Sequence, residues 1–358
     1  MSETQQHSNQ SANHGRAPRV SIGMPVYNGG PLVIAAVESV LQQTYGDFEL
    51  IISDNVSDDG TEHQLAEFAR QDPRVRYVRN EKNVGAIPNF NQCVDLARGE
   101  LFKWQAADDL VQPKFLEYTV AALDENPDAV LAHTRTRVID AEDRMVADSP
   151  NPFRKWDSPK RMARWSSALR DLFCYEIYGL MRLDALRRST RHANFRGGDK
   201  TLLAELSLMG RFVRVEKSLF LRRVHPAMSG AQDGKTKRTH SGWTATTPYR
   251  LKAFGFYFKL LHRHPLSIGE RLRGYAEVMR MSVAYHRWYK LLVPGPSNYF
   301  GFAGFGKPDA GTAGEGGMLV QLEKRRAAVE ATRRAPTANT SKSTPTAASS
   351  PSGSGAAA

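Results

Sequence analysis

Nowhere in the 358 residues does an uncharged apolar run approach the eighteen or so that a membrane-spanning helix needs, which argues against an integral membrane protein. Cysteine is almost missing. Cys93 and Cys174, far apart in sequence, supply neither a disulfide framework nor a zinc motif, and a reducing, cytoplasmic compartment is expected. Met1 to Pro18 is polar and lacks the apolar core of a signal peptide, so it is expected to be disordered. No G-x-G-x-x-G follows the first apolar run, which counts against dinucleotide chemistry, and no internal repeat is visible.

Positive charge, in contrast, is plentiful. Lys and Arg outnumber Asp and Glu by 49 to 37, a net +12. Between Trp243 and Leu292 nine basic residues face only Glu270 and Glu277, a local +7. Phe254, Phe256, Tyr257, Phe258, Trp288 and Tyr289 interleave with them. That mixture suits an anionic membrane surface or a polyanionic ligand, and a solvated helical face explains it equally well. Nucleic acid is not expected, because no binding module accompanies the charge.

From Arg19 onward short apolar runs alternate with longer helical patterns. Strands are predicted over Val20–Met24, Phe48–Ser53, Val75–Val78, Leu101–Gln105 and Ala129–Val138. Helices are predicted over Pro31–Gln43, Thr61–Arg70, Ile87–Ala97 and Lys114–Glu125. This is the pattern of an α/β domain, a mostly parallel sheet flanked by helices, with ligands gathered at the carboxyl ends of the strands. Beyond Asp140 the alternation lapses. Ser167–Arg188 reads as helix broken near Gly179, Asp199–Met209 as helix and Phe212–Val224 as extended chain. Trp243 to about Leu292 reads as amphipathic helix. From about Ala335 an Ala/Ser/Thr/Pro tail cannot bury a core.

Three polar clusters fall at strand ends. In Met24-Pro25-Val26-Tyr27-Asn28-Gly29-Gly30, Pro25 is expected to stop a central strand and Tyr27 offers a stacking face. In Ser53-Asp54-Asn55-Val56-Ser57-Asp58-Asp59-Gly60-Thr61, Asp54 is placed to accept from a base or ribose, while Asp58, Asp59 and Thr61 shape the turn and cap the next helix. The third is Asp108-Asp109, just past the strand Leu101–Gln105. Adjacent carboxylates repel, and a divalent cation held with substrate phosphates removes that cost; a turn or helix cap is the bland alternative.

Together these motifs resemble the inverting family 2 glycosyltransferases of GT-A (Rossmann-like) fold. The resemblance rests on Pro-Val-Tyr-Asn-Gly (25–29), Ser-Asp-Asn-x-Ser-x-Asp-Gly-Thr (53–61), Asn-x-x-Asn-x-Gly (80–85), Asn89 and Ala-Asp-Asp-x-x-x-Pro (107–113). It covers roughly residues 19–230. It implies that Pro25 and Tyr27 line a nucleoside pocket, that Asp54 bonds the base, typically uracil, and that Asn83 and Gly85 lie along the nucleotide. Asp108 would meet ribose or sugar, and Asp109 would ligate Mn²⁺ or Mg²⁺ on the diphosphate. Gly197-Gly198-Asp199 stands where the family supplies its catalytic carboxylate, with Gly in place of the frequent Glu, so Asp199 is the candidate base; alone it also makes a good N-cap. Arg222-Arg223-Val224-His225-Pro226-x-x-Ser229 resembles the late Arg-x-His segment. It makes His225 a candidate metal or diphosphate ligand, with one of the two arginines expected to face solvent. His133, Arg135 and Arg137 share a strand face and border either the acceptor or plain solvent.

The expected function is metal-assisted transfer of a sugar, with inversion, from a nucleotide-diphospho-sugar to a hydroxyl. The donor is expected to be UDP-linked and the acceptor a glycan or lipid-linked saccharide of the cell envelope. The expected location is the cytoplasm, with peripheral contact at the inner face of the plasma membrane. The expected organisation is a disordered 1–18, a GT-A domain over 19–235, a basic-aromatic helical extension over 236–300 and a low-complexity tail over 301–358. Two alternatives stay open: an inactive GT-A-fold binding or scaffold protein, and a nucleotidyltransferase. The latter is disfavoured because Pro-Val-Tyr-Asn-Gly-Gly contains no Lys or Arg.

Overall fold

The computed structural model describes residues 16–149, 155–170, 174–195, 197–225 and 249–284. Strands and helices alternate through the first half as the apolar periodicity predicts. They run β1 (Val20–Val26), α1 (Gly30–Leu41), β2 (Phe48–Asp54), α2 (Thr61–Gln71), β3 (Val75–Arg79), α3 (Ala86–Leu96) and β4 (Leu101–Trp104). A two-residue strand, β5 (Leu110–Val111), follows the Asp pair directly, and α4 (Phe115–Glu125) leads into β6 (Ala129–Ile139) and β7 (Met145–Asp148). The second half adds α5 (Arg161–Arg170), β8 (Leu180–Arg182), α6 (Leu183–Arg188), α7 (Gly198–Met209), β9 (Arg211–Arg223), α8 (Tyr249–Arg263) and α9 (Ile268–Ala284).

One sheet runs in the order β3-β2-β1-β4-β8-β6-β9-β5, with β7 attached to β6. β1–β2, β1–β4, β2–β3 and β6–β9 are parallel; β4–β8, β6–β8, β6–β7 and β5–β9 are antiparallel. The fold class matches the expectation, but the sheet is mixed. β5 and β7 pair antiparallel at its margin, and the central difference lies in β8, where the sequence reads as helix. Leu180-Met181-Arg182 is too short to show a period. Gly179 before it admits the neighbouring backbone so closely that a Cβ there would stand 2.7 Å from the Ala132 carbonyl oxygen.

Pro25 does not stop β1, which continues through it to Val26 with Pro25 opposite Ser53. The Gly23 carbonyl accepts from the Gln105 amide, so residues of that parity turn their polar groups toward β4. β4 pairing with β1 ends at Gly23–Trp104, so no partner waits for the N–H that proline lacks.

Every residue of β1 and β2 is buried, as strands covered on both faces should be. On one face α1 presents Val33, Ala36, Val37 and Val40 at helical spacing, joined by Leu65 of α2 and Phe115 and Leu116 of α4. The other face carries α3, α5 and α7–α9. Gly23 lets α3 sit close: a Cβ there would stand 2.5 Å from the Cys93 Cβ. Helix α7 is buried almost all round, and its polar residues turn inward onto partners. Thr201 and Ser207 bond back to the Gly198 and Ala204 carbonyls.

The sequence treats the basic-aromatic stretch as an extension, yet Tyr257, Leu260, Leu261, Val278 and Met281 of α8 and α9 join the same core as Trp104, Trp165 and α7. Leu260 and Leu261 are fully buried, each stabilising by about 1.5–3 kcal/mol. Phe254, Phe256 and Phe258, partly buried, also pack against this core rather than standing free. Trp288, Tyr289, the 301–358 tail and residues 1–15 lie outside the described residues.

Candidate active site

The carboxyl ends of β1, β2 and β4 lie together, and β9 delivers two arginines to them. β5 pairs antiparallel with β9, Leu110 opposite Leu221, so Arg222 and Arg223 run past Asp109. The Asp109 carboxylate, wholly buried, accepts from Arg222 Nη1 at 3.1 and 3.0 Å and from the Arg223 amide at 2.9 Å. Arg223 donates from Nε to the Asp108 carbonyl at 2.7 Å and from Nη1 to the Asp140 and Ala141 carbonyls, and it pairs with Asp143. Neither arginine faces solvent as expected of one of them: Arg222 is 9% exposed and Arg223 1%. Beneath the loop, Lys103 Nζ donates to Gln105 Oε1, and Gln105 Nε2 donates to the Asp109 carbonyl, both at 2.8 Å. Burial pushes the Asp109 carboxyl up to about 6 against the pull of Arg222.

Asp108 behaves differently. About a quarter of its side chain is exposed, and Oδ2 lies 3.1 Å from His225 Nε2. Burial alone would raise its carboxyl, but the His225 hydrogen bond and the Arg222 charge hold it below the usual range. Of the adjacent pair, therefore, Asp108 meets the cleft and Asp109 anchors the loop. Asp109, the carboxylate expected to hold the ion, has no exposure here and both oxygens on Arg222. Among the described residues no three His, Cys, Asp or Glu side chains converge. The chain's donors to a divalent ion would be Asp108 and His225, a set that fits Mn²⁺ or Mg²⁺ when substrate phosphate oxygens complete the shell.

Asp54 is likewise not open to a ligand. Fully buried, it accepts from the Ser57 amide (2.9 Å) and hydroxyl (2.6 Å) and from Tyr77 Oη and Arg79 Nη1 (2.7 Å each). Arg79 stands opposite Asp54 in the β2–β3 register, and its other nitrogen donates to the Ser57 carbonyl at 2.8 Å. Asp54, expected to bond a base, here clamps the loop that follows β2. Tyr77 and Arg79 went unnoticed in the sequence, although their alternation on a strand next to Asp54 was the available signal. Burial, with the bond to Asp54, pushes the Tyr77 hydroxyl up to about 12.

Pro25 is buried within β1, which leaves Tyr27, 53% exposed, as the open ring of this end. Its loop is fastened to the next one: the Asn28 amide donates to Ser57 Oγ and the Gly30 amide to Asp59 Oδ2, both at 2.9 Å. Asp59 also takes the Thr61 amide, as expected of a turn residue. Asn83 accepts from Asn55 Nδ2 at 2.7 Å and from the Gly85 amide at 2.9 Å. Gly85, at φ +88°, adopts a backbone that side chains resist and begins α3. Asn89 bridges Ser53 and Asn80 beneath this loop.

Asp199 is not the cap of α7. Gly197, at φ +89°, holds that position, and Asp199 lies half-buried in the first turn. Buried Tyr178, whose hydroxyl is pushed up by burial, feels the charges of Arg222, Asp109, Asp108 and Asp199. Asp108, Asp109, Arg222 and His225 thus meet at one end of the sheet, while Asp199 lies on the first turn of α7, its charge felt by the same Tyr178. His192, also missed in the sequence, packs edge-on against Trp104 and Phe90 at 4.6 and 5.2 Å between ring centres, with Nε2 buried and unpartnered. Burial pushes it down to about 4, opposed by the Asp199 charge, so the ring stays neutral. His133 is buried, and Arg135 and Arg137 form exposed pairs with Glu216 and Asp148, the plain solvent-edge arrangement.

The mixed sheet flanked by helices, with polar side chains at its carboxyl strand ends, is a fold of GT-A type. Residues 21–188, just under half of the chain, match the model of the family described as Glycosyl transferase family 2. Chondroitin synthase of Escherichia coli is 33% identical over 142 residues, 40% of this chain and 21% of that protein. The putative colanic acid biosynthesis glycosyl transferase WcaA of Escherichia coli K12 is 38% identical over 104 residues, 29% and 37% of the two chains. The chain thus spans well under half the length of these curated relatives. Among solved structures, S. aureus TarS 1–349 in complex with UDP shares the fold. Its TM-score is 0.55 at 15% identity, covering 75% of this chain and 73% of that one. The same protein in complex with UDP-GlcNAc gives 0.53.

Proposed function

We propose that this chain transfers a sugar from a nucleotide-diphospho-sugar, UDP-linked, to an acceptor hydroxyl with inversion. The observation that carries the reading is the division of labour at the strand ends: Asp108 and His225 open to the cleft, Asp109 locked by Arg222, and Asp199 apart on the first turn of α7. Tyr27 stacks the base, and the loop clamped by Asp54 and Arg79 surrounds the nucleoside. Asn83 and Gly85 shape the loop beside it. A Mn²⁺ or Mg²⁺ on Asp108 and His225 would neutralise charge on the departing diphosphate. Arg222, 3.9 Å from Asp108, adds fixed positive potential where that charge grows.

Asp199 takes the proton of the acceptor hydroxyl as its oxygen bonds to the anomeric carbon. The bond from that carbon to the diphosphate oxygen breaks, and the nucleoside diphosphate leaves with the electron pair. A single displacement inverts the centre. Support for a UDP donor is the fold shared with a protein solved with UDP and UDP-GlcNAc. The relatives named for chondroitin synthesis and colanic acid biosynthesis support a glycan acceptor, with cell-envelope polysaccharide or glycolipid synthesis as the setting. No described helix is long and apolar enough to cross a membrane, and we place the enzyme in the cytoplasm, against the inner face of the plasma membrane. In domain terms, residues 19–235 carry the reaction and α8–α9 complete their core.

The test is UDP release from a panel of UDP-sugars with an acceptor mixture and Mn²⁺. Wild type should turn over one donor, and Asp199→Asn should lose about 10²–10⁴-fold in kcat while binding donor as before. Asp199→Asn retaining the wild-type kcat would remove the base from the mechanism.

A further inference from the structure

α9 carries an apolar stripe that nothing in the described structure covers. Ile268 is 77% exposed, Leu272 60% and Met279 50%, and Ala276 beside them is also exposed. At 3.6 residues per turn these four fall within an arc of about 80° on one side of the helix. Gly274, Val278 and Met281 on the opposite side are buried against α8 and the core. Large exposed apolar side chains in line along a helix are uncommon on a soluble surface unless a partner uses them.

The polar residues of α9 are sorted around that stripe. Arg273 and Arg280 follow it along one rim, both exposed, with Arg273 close enough to help the Ser267 amide hold the Glu270 carboxyl below its usual range. The two acids of the helix face away. Glu270 bonds the Ser267 amide and hydroxyl and lies 3.6 Å from Arg161 of the domain. Glu277 bonds Ser166 and Arg170 of α5 and also takes Arg280 Nη2 at 3.0 Å, leaving the rest of that guanidinium at the rim. On the other rim Tyr275 reaches α8, its hydroxyl 2.7 Å from His262 Nε2. That contact sets the exposed Lys259, His262 and Arg263 of α8 alongside. From Tyr249 to Ala284 the two helices hold seven Lys or Arg against two Glu, a net +5.

An apolar ridge with cations on both rims and its acids turned inward is the pattern of a helix lying in the headgroup region of an anionic bilayer. We propose that the outer face of α9 docks the enzyme onto an anionic membrane, with Ile268, Leu272 and Met279 entering the acyl boundary and Arg273, Arg280 and Lys259 meeting lipid phosphates. Composition alone pointed to the aromatics of α8, which the fold places in the core; the docking face is the aliphatic stripe of the next helix. The inference needs neither donor nor acceptor and stands or falls apart from the proposed reaction.

The test is co-sedimentation of the full chain with vesicles of phosphatidylcholine alone or with 30 mol% phosphatidylglycerol, at low and high salt. Wild type should pellet with the anionic vesicles only, less so in high salt. Leu272→Asp with Met279→Asp should abolish pelleting at an unchanged melting temperature, since neither side chain contributes to the core. Arg273→Gln with Arg280→Gln should weaken it several-fold. Wild type that ignores anionic vesicles would overturn the proposal, as would an Asp variant that still pellets. A wild-type dimer in sedimentation velocity that the Asp variant converts to monomer would assign the stripe to a second copy instead and equally overturn it.

Discussion

Replacing Asp109 by Asn should destabilise the fold far more than replacing Asp108 by Asn, although the two are neighbours. Asp109 is fully buried and spends both oxygens on Arg222, with Arg223 adding an amide. Removing one member of a buried pair leaves the other charged and unsolvated, at a cost of about 3–5 kcal/mol. Asp108 lies 3.9 Å from Arg222 and offers it partial compensation, which puts the expected loss near the lower figure, about 3 kcal/mol. At a urea slope of about 3 kcal/mol/M the midpoint should fall by about 1 M. Asp108→Asn, partly solvated, should stay within about 1 kcal/mol of wild type. Asp109→Leu with Arg222→Met removes both charges and should be no less stable than either single variant, because desolvation no longer opposes packing. Urea denaturation followed by circular dichroism measures all four. An Asp109→Asn midpoint equal to wild type, or an equal loss in Asp108→Asn, would refute the assignment of anchor and open carboxylate.

Lys103 is wholly buried, and burial pushes its ammonium down to about 7 despite the Asp109 charge. The unfolded lysine titrates near 10.4, so between about pH 7 and pH 10 the unfolded chain holds a proton that the folded chain lacks, and this group makes stability rise with pH. Below about pH 7 both states are charged and the penalty is fully present; Lys103→Met should flatten the rise of the urea midpoint between pH 7 and 9. Gly198→Ala puts a Cβ 2.3 Å from the Ala193 carbonyl oxygen. It should shift the first turn of α7, lowering kcat in UDP-release assays with donor affinity unchanged. Gly23→Ala meets Cys93 and Phe102 at 2.5 and 2.8 Å. Overpacking of that kind should cost about 1–3 kcal/mol in the same denaturation experiment.

Much of this molecule is written in local pattern. Strands β1–β4 and β6 and helices α1–α4 fall where period-2 and period-3.6 apolar spacing puts them, because Val33, Ala36, Val37 and Val40 or the buried run Phe48–Asp54 can face a core only that way. The motif residues were equally visible, as was their place at strand ends. What their side chains do there was not. Asp54 and Asp109 look like free ligands in one dimension, and their buried ion pairs were hidden because Arg79 and Arg222 arrive from strands paired beside them. Only the β2–β3 and β5–β9 registers reveal those partners. β8 was illegible because three residues carry no period. The core role of the α8 aromatics was hidden because a helix rich in both charge and rings has two faces to choose between.

The central claim is that Asp108 and His225 form the metal side of a nucleotide-sugar site, with Asp199 apart from it. Calorimetric titration of UDP into wild type and Asp108→Ala, with and without Mn²⁺, tests it most directly. The account predicts Mn²⁺-dependent UDP binding by wild type, lost in Asp108→Ala and preserved in Asp199→Asn. Folded wild type that binds no UDP, or Asp108→Ala that binds it as tightly with Mn²⁺, would contradict it.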